Sequence, residues 1–281
     1  MTPTRPSPSE IDAFQRDGFL APVDALTQAE ARGLRDQLEA FERTLPQGPV
    51  AARDRRKLHV RLPWARALVE DPRILDIMTS LLGPDILVFT STFFIKEAQT
   101  DAITAWHQDA TFFGLAPYEH VTAWVALSEA SIEAGCMEFI LGSHRWGQLR
   151  HGPDVVPGAI NAGAQSIGES IDTRRTAFAP LQAGQLSLHH TLVVHDSAPN
   201  RSTDRRIGLG ISYIPTRVRH TGSRRMSATL VRGVDRYGHF DLEADPRNLT
   251  PAERVEAHHR AYATYDSLYQ EQMERHHRAV A

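Results

Sequence analysis
Five runs of β-branched and aromatic residues fill the middle of the chain, and no helical pattern separates them. They fall at residues 86–95 (ILVFTSTFFI), 121–127, 136–141, 185–195 and 207–214. Gly- and Pro-bearing turns join them. Parallel strands need crossover connections of a dozen or more residues, usually helical, and none is legible here. The chain is therefore expected to be antiparallel, with a central β-barrel or jelly roll.

Helices flank that core. Ser7-Pro8-Ser9-Glu10 and Thr27-Gln28-Ala29-Glu30 each have the spacing of a capping box. Asp71-Pro72 reads as an N-cap followed by proline at the first helical position, and Gly83-Pro84 stops that helix. Thr250-Pro251-Ala252-Glu253 opens a last helix through Val255, Tyr262, Tyr265 and Leu268. The expectation is one domain over 1–281, mainly β with flanking helices (α+β). Its helical N-terminal region covers about 7–83, its core about 86–215 and its C-terminal helix about 250–279. The Gly-rich polar stretch between Trp146 and Pro180 reads as a long loop, and a lid over substrate is one use for it.

Charge excludes some partners. With 31 basic and 34 acidic residues, net −3, there is no basic patch for nucleic acid and no polybasic tail for a membrane surface. No apolar run approaches the ~18–20 residues that span a bilayer. Cys136 is the only cysteine, which rules out an intrachain disulfide. Residues 1–10 have no apolar centre and do not resemble a signal peptide. A cytoplasmic setting is the default expectation.

The chemistry concentrates in Trp106-His107-Gln108-Asp109. On a strand, residues two apart point to one side, so His107 and Asp109 could grip one metal ion. The run at 185–195 ends in His195, with His189, His190 and His144 as competitors. Two imidazoles and one carboxylate leave three coordination positions open, the facial triad of non-haem iron(II) oxygenases. Arg206 opens the next strand, and a guanidinium suits a two-pronged grip on a carboxylate. Arg201 and Arg205 are equal to it on composition.

Three segments in this order resemble the phytanoyl-CoA dioxygenase-like (PhyH) family of Fe(II)/2-oxoglutarate-dependent oxygenases. They are WHQD at 106–109, AWVALSEASIEAGCMEFILGSH at 123–144 and HDSAPNRSTDRRIGLGISYIP at 195–215. The resemblance covers residue 11 to about 214 and departs from the usual Pro-Gly-Ser-His at Leu141-Gly142-Ser143-His144. It implies a double-stranded β-helix (cupin-like jelly roll) core, with iron held by His107, Asp109 and His195. It also implies that Arg206, eleven residues beyond His195, takes the far carboxylate of 2-oxoglutarate. Lys57, Thr92, Gln108 and Trp124 match family positions near that co-substrate, and Lys96 sits at a recurrent position. The implied cofactors are Fe(II), 2-oxoglutarate and O2. The implied reaction is hydroxylation, or another oxidation, of a small organic substrate with release of succinate and CO2. A carboxylate at Asp109 favours this over halogenation, for which relatives lack that ligand.

Substrate is less constrained. Trp106, Phe112, Phe113 and Tyr118 flank the triad and could line a pocket or pack in the core. Arg217, Arg219, Arg224 and Arg225 could meet an anionic substrate or form a solvated loop. Two other classes stay open. A cupin-like metal hydrolase or isomerase would use the same ligands but not Arg206, and a silent 2-oxoglutarate-binding protein would keep the fold without turnover.

Overall fold
The computed structural model describes residues 5–46, 48–152, 156, 158–160 and 166–280, apart from the side chains of 52, 53, 268, 269, 273 and 275–280. Two antiparallel sheets face each other as a jelly roll. The major sheet runs, in spatial order, Phe19–Asp24, Gln185–His190, Val121–Ala126, Arg206–Pro215, Ile86–Lys96, Ser227–Arg232 and Asp241–Leu242, only the last pair being parallel. The minor sheet runs Thr104–His107, His195–Ser197, Met137–Ile140 and Thr176–Ala179.

The strand Arg206–Pro215 shows why the sequence folds this way. It is buried along its whole length, because both its faces are covered. Ile207, Leu209, Ile211 and Tyr213 join a core with Leu38, Leu68, Ile74, Ile77 and Met78 from the helical layer. Full burial of such a side chain contributes ~1.5–3 kcal/mol. The alternate residues, Arg206, Gly208 and Gly210, therefore fall on the face between the sheets. Glycine is required there. A Cβ on Gly208 would lie 2.0 Å from Trp124 Cζ2, and one on Gly210 would lie 2.7 Å from Phe94 Cε2.

The helix signals hold. Ser7 and Thr27 form capping boxes with Glu10 and Glu30. Asp71 accepts from Arg73 N–H at the start of Pro72–Leu82, whose buried face carries Ile74, Leu75, Ile77 and Met78. The last helix spans Pro251–Val280, and the side chain of Leu268 lies outside the described residues. Among the described residues no helix is long and apolar enough to cross a membrane.

Two expectations need correction. The run at 185–195 is two strands: Gln185–His190 ends in a turn at Thr191 and Leu192, and the chain crosses to the minor sheet at His195–Ser197. Hydropathy cannot mark that crossing, since Leu192, Val193 and Val194 are as buried as the strands they join. Nor is the stretch after Trp146 structureless where it is described. His151–Gly152 pairs with Ser166–Ile167, Ile160 N–H donates to Ile103 O, and Thr176–Ala179 joins the minor sheet. Residues 153–155, 157 and 161–165 of the expected lid lie outside the described residues.

Candidate functional site
His107 closes its strand and pairs in register with His195 on the next. Their ring centroids lie 4.2 Å apart. Asp109 reaches the same place by another route than strand alternation. It follows the strand end in helical conformation (φ −57°, ψ −38°), leading into the short helix Ala110–Phe113. His107, Asp109 and His195 each offer a donor atom, all within 4.8 Å of one another, and Asp109 Oδ1 is 3.6 Å from His107 Nε2.

Both imidazoles are preset. His107 Nδ1 lies 2.9 Å from Ala105 O and His195 Nδ1 lies 3.0 Å from Val193 O. A carbonyl can only accept, so each Nδ1 carries the hydrogen and each Nε2 keeps its lone pair for a metal. Burial, reinforced by His107 and His189 alongside, drives the His195 pKa well below its ordinary value, so the ring is neutral. Burial alone would raise Asp109, but the His107 ring beside it and the hydrogen bond from His189 outweigh burial and hold the carboxyl well below its usual range. Two imidazoles with an ionised carboxylate are the donor set a divalent first-row metal takes.

A cavity of about 300 Å³ opens beside the triad. Thr92, Trp124, Lys96 and Arg206 line it together with His107, Asp109 and His195. Arg206 is fully enclosed. Its Nη1 donates to Gly135 O at 2.7 Å, its guanidinium lies 5.3 Å from the Trp124 ring centre, and its Nε has no partner among the described residues. Among the described residues it makes no ion pair. Burial brings its pKa down to about 10, still cationic at neutral pH. An enclosed guanidinium with an idle donor, at the wall of a cavity, fits an anionic ligand such as a carboxylate.

Other expected residues are placed elsewhere. Lys57 does not line the cavity. Its ammonium is buried against Glu243 Oε1 at 2.5 Å and Ser227 O at 3.1 Å, while its neighbours Arg55 and Arg56 line the cavity instead. Gln108 points away from it too, and all four bonding positions of its amide are taken. Nε2 donates to Gly147 O and Leu192 O, and Oε1 accepts from Leu149 N–H and Gln148 Nε2. Lys96 is buried rather than solvated. Its Nζ lies within hydrogen-bond reach of Ser197 O, Ser197 Oγ and Ala198 O, and burial, with Arg206 nearby, pulls its pKa down to about 6. Asn200 and Ser202 form a turn, as their types suggest.

Of the four aromatics, only Phe113 lines the cavity; Phe112 packs in a core with Leu87 and Phe89, and Tyr118 is exposed. The later arginines stay away from it. Arg217 pairs with Glu119 and Arg225 with Asp241. Sequence reasoning missed Arg55, Arg56, Glu97, Asp196 and Tyr265 at the cavity wall. Tyr265 is the hardest to foresee, arriving from the C-terminal helix with Arg56 over its ring at 5.7 Å.

Comparison with known proteins places this geometry. The model for phytanoyl-CoA dioxygenase matches residues 14–208. A phytanoyl-CoA dioxygenase domain-containing protein 1 homolog of Caenorhabditis elegans is 29% identical over 170 residues, 59% of each chain. The chain thus spans about three fifths of the length of such curated relatives. L-proline trans-4-hydroxylase of Streptomyces griseoviridis is 27% identical over 229 residues, covering 71% of this chain and 83% of that one. Among solved structures, the apo form of the non-heme monooxygenase ThoJ superposes with a TM-score of 0.83. It is 34% identical and covers 94% of this chain and 98% of its own.

Proposed function
The chain belongs to the phytanoyl-CoA dioxygenase family, and on that footing we propose that it is an iron(II)- and 2-oxoglutarate-dependent dioxygenase, one domain throughout, that hydroxylates or otherwise oxidises a small organic substrate. A single observation carries the reading. The three metal donors and an enclosed guanidinium, without an ion pair among the described residues, open on one cavity. A hydrolase or isomerase with the same ligands has no use for that guanidinium.

In this reading His107 Nε2, Asp109 Oδ1 and His195 Nε2 hold the iron. When bound, iron(II) with 2-oxoglutarate and O2 supplies the oxidising power, the co-substrate leaving as succinate and CO2. The chain's own part is to place and to dry. Arg206 receives the far carboxylate and fixes which end of the co-substrate meets the metal. The Trp124 ring backs the guanidinium and keeps water from its face. Thr92, on the neighbouring strand and across from Gly210, forms the adjoining wall. Phe113, Ile160 and Tyr265 give the substrate side its apolar surface. A negatively charged substrate would meet Arg55 and Arg56 there, rather than the arginines at 217–225. A lone buried cysteine accords with a cytoplasmic setting.

Anaerobic loading with Fe(II) and 2-oxoglutarate tests this through the weak metal-to-ligand charge-transfer absorption of the chelate. Wild type should show the band, His107→Ala should lose it, and Arg206→Ala should need far more 2-oxoglutarate. Folded, iron-loaded wild type without the band would remove the oxygenase reading.

A further inference from the structure
We propose that Thr122, His120 and His189 are positioning residues for Asp109, tying down its outer oxygen so that Oδ1 alone is offered to a metal. The inference rests on the reading of His107, Asp109 and His195 as ligands.

The hydrogen positions follow by elimination. A carboxylate oxygen can only accept, so the Thr122 hydroxyl, 2.9 Å away, directs its one hydrogen to Asp109 Oδ2. The Thr122 oxygen must then accept from His120 Nε2 at 3.1 Å, which puts the ring hydrogen on Nε2. His120 Nδ1 is left bare, and the Thr191 hydroxyl at 3.0 Å donates to it. One direction therefore runs through the whole chain, from Thr191 to His120 to Thr122 to Asp109. Thr191, His120 and Thr122 are all buried, which protects that order from competition by water.

His189 adds a second donor. Its Nε2 lies 3.2 Å from the same Asp109 Oδ2 and must carry the hydrogen. Its Nδ1 is buried with no partner among the described residues. An unmet buried polar atom destabilises a fold. The ring packs on Phe139, a contact a phenylalanine would serve as well. A histidine is useful at this position for the one bond it gives to Asp109. With two donors on Oδ2, the carboxylate is held to one-oxygen binding, which keeps neighbouring coordination positions clear.

Cobalt(II) titration without 2-oxoglutarate, read by visible ligand-field absorption beside melting temperature, tests the idea. Thr122→Val and His189→Phe should each weaken Co(II) binding by ~10–100-fold, as loss of a partner behind a ligand does. His189→Phe should not lower the melting temperature, since the unmet nitrogen goes with the ring. His189→Gln, whose amide nitrogen can stand near Nε2, should restore most of the affinity. His120→Phe should weaken binding less than Thr122→Val, and the double variant should match Thr122→Val, because His120 acts through Thr122. Unchanged Co(II) affinity in Thr122→Val and His189→Phe, with lowered melting temperatures, would show a merely structural role and overturn the proposal. Wild type that takes up no Co(II) would instead overturn the metal reading itself, and this inference with it.

Discussion

Replacing Arg206 by methionine should make the ligand-free protein more stable and deprive it of stabilisation by 2-oxoglutarate. The guanidinium is 2% exposed and has one described hydrogen bond, to Gly135 O. Burial brings its pKa down from the ordinary arginine value to about 10. At ~1.36 kcal/mol for each tenfold change, keeping the charge enclosed costs on the order of 3 kcal/mol. Because the folded pKa is the lower one, that cost is present in full at neutral pH and eases only above about pH 10. Methionine fills the stem's volume, gives up the bond to Gly135 at ~1 kcal/mol, and removes the charge. The net gain is on the order of 2 kcal/mol, or a melting point higher by ~4–8 °C for a chain of this size.

Co-substrate reverses the order. At a thousandfold excess over its dissociation constant, a ligand stabilises wild type by ~4.1 kcal/mol, while the variant has lost the group that grips it. Differential scanning calorimetry with Mn(II), with and without 2-oxoglutarate, should show the two melting curves exchanging rank. A variant that melts below wild type without ligand, or that 2-oxoglutarate stabilises equally, would refute the reasoning.

Four further outcomes are expected. Lys57→Met should cost ~3–5 kcal/mol in urea denaturation, because it leaves Glu243 buried without its cation, and adding Glu243→Leu should recover most of that. For Glu243, burial opposes ionisation, but Lys57 and His59 outweigh it and hold the carboxyl well below its ordinary 4.5. A depressed folded pKa means stability present above about pH 5 and lost on acidification, so in Glu243→Gln the acid limb of a stability–pH curve should flatten. Gln108→Leu leaves two carbonyls and a backbone N–H unmet. It should destabilise the protein by ~3 kcal/mol while leaving Co(II) affinity within a few-fold of wild type. Gly208→Ala drives a methyl into Trp124. It should cost ~1–3 kcal/mol and weaken 2-oxoglutarate binding, read by the charge-transfer titration.

How much of this the sequence disclosed depends on how local the physics is. Capping boxes, the Asp71-Pro72 start and the central strand runs are decided by neighbours within a few residues, and they stand. His107 and Asp109 were legible as a pair, though the reason offered, strand alternation, is not the one at work, since Asp109 lies past the strand end. Lys57 shows the limit. A lysine looks the same whether its ammonium meets a co-substrate or a carboxylate 186 residues away, and here it meets Glu243. Gln108 is similar: the co-substrate position its family match implies gave way to four amide bonds from two separate segments. His120 and His189 look like any of the 14 histidines until the fold brings Asp109 between them.

Tyr265 reaches the cavity from a helix that lies wholly beyond the matched residues 14–208. Heritable variation can therefore act on the two halves of the site at different speeds. The strand that carries Arg206 tolerates little, because it is buried along its whole length. The helix answers to looser rules. A single residue inserted ahead of Tyr265 would turn that position about 100° around the helix axis and advance it ~1.5 Å. It would put a different side chain against Arg56 and leave every ligand untouched. A lineage carrying this fold can thus vary one wall of the cavity without disturbing the triad and the guanidinium behind it.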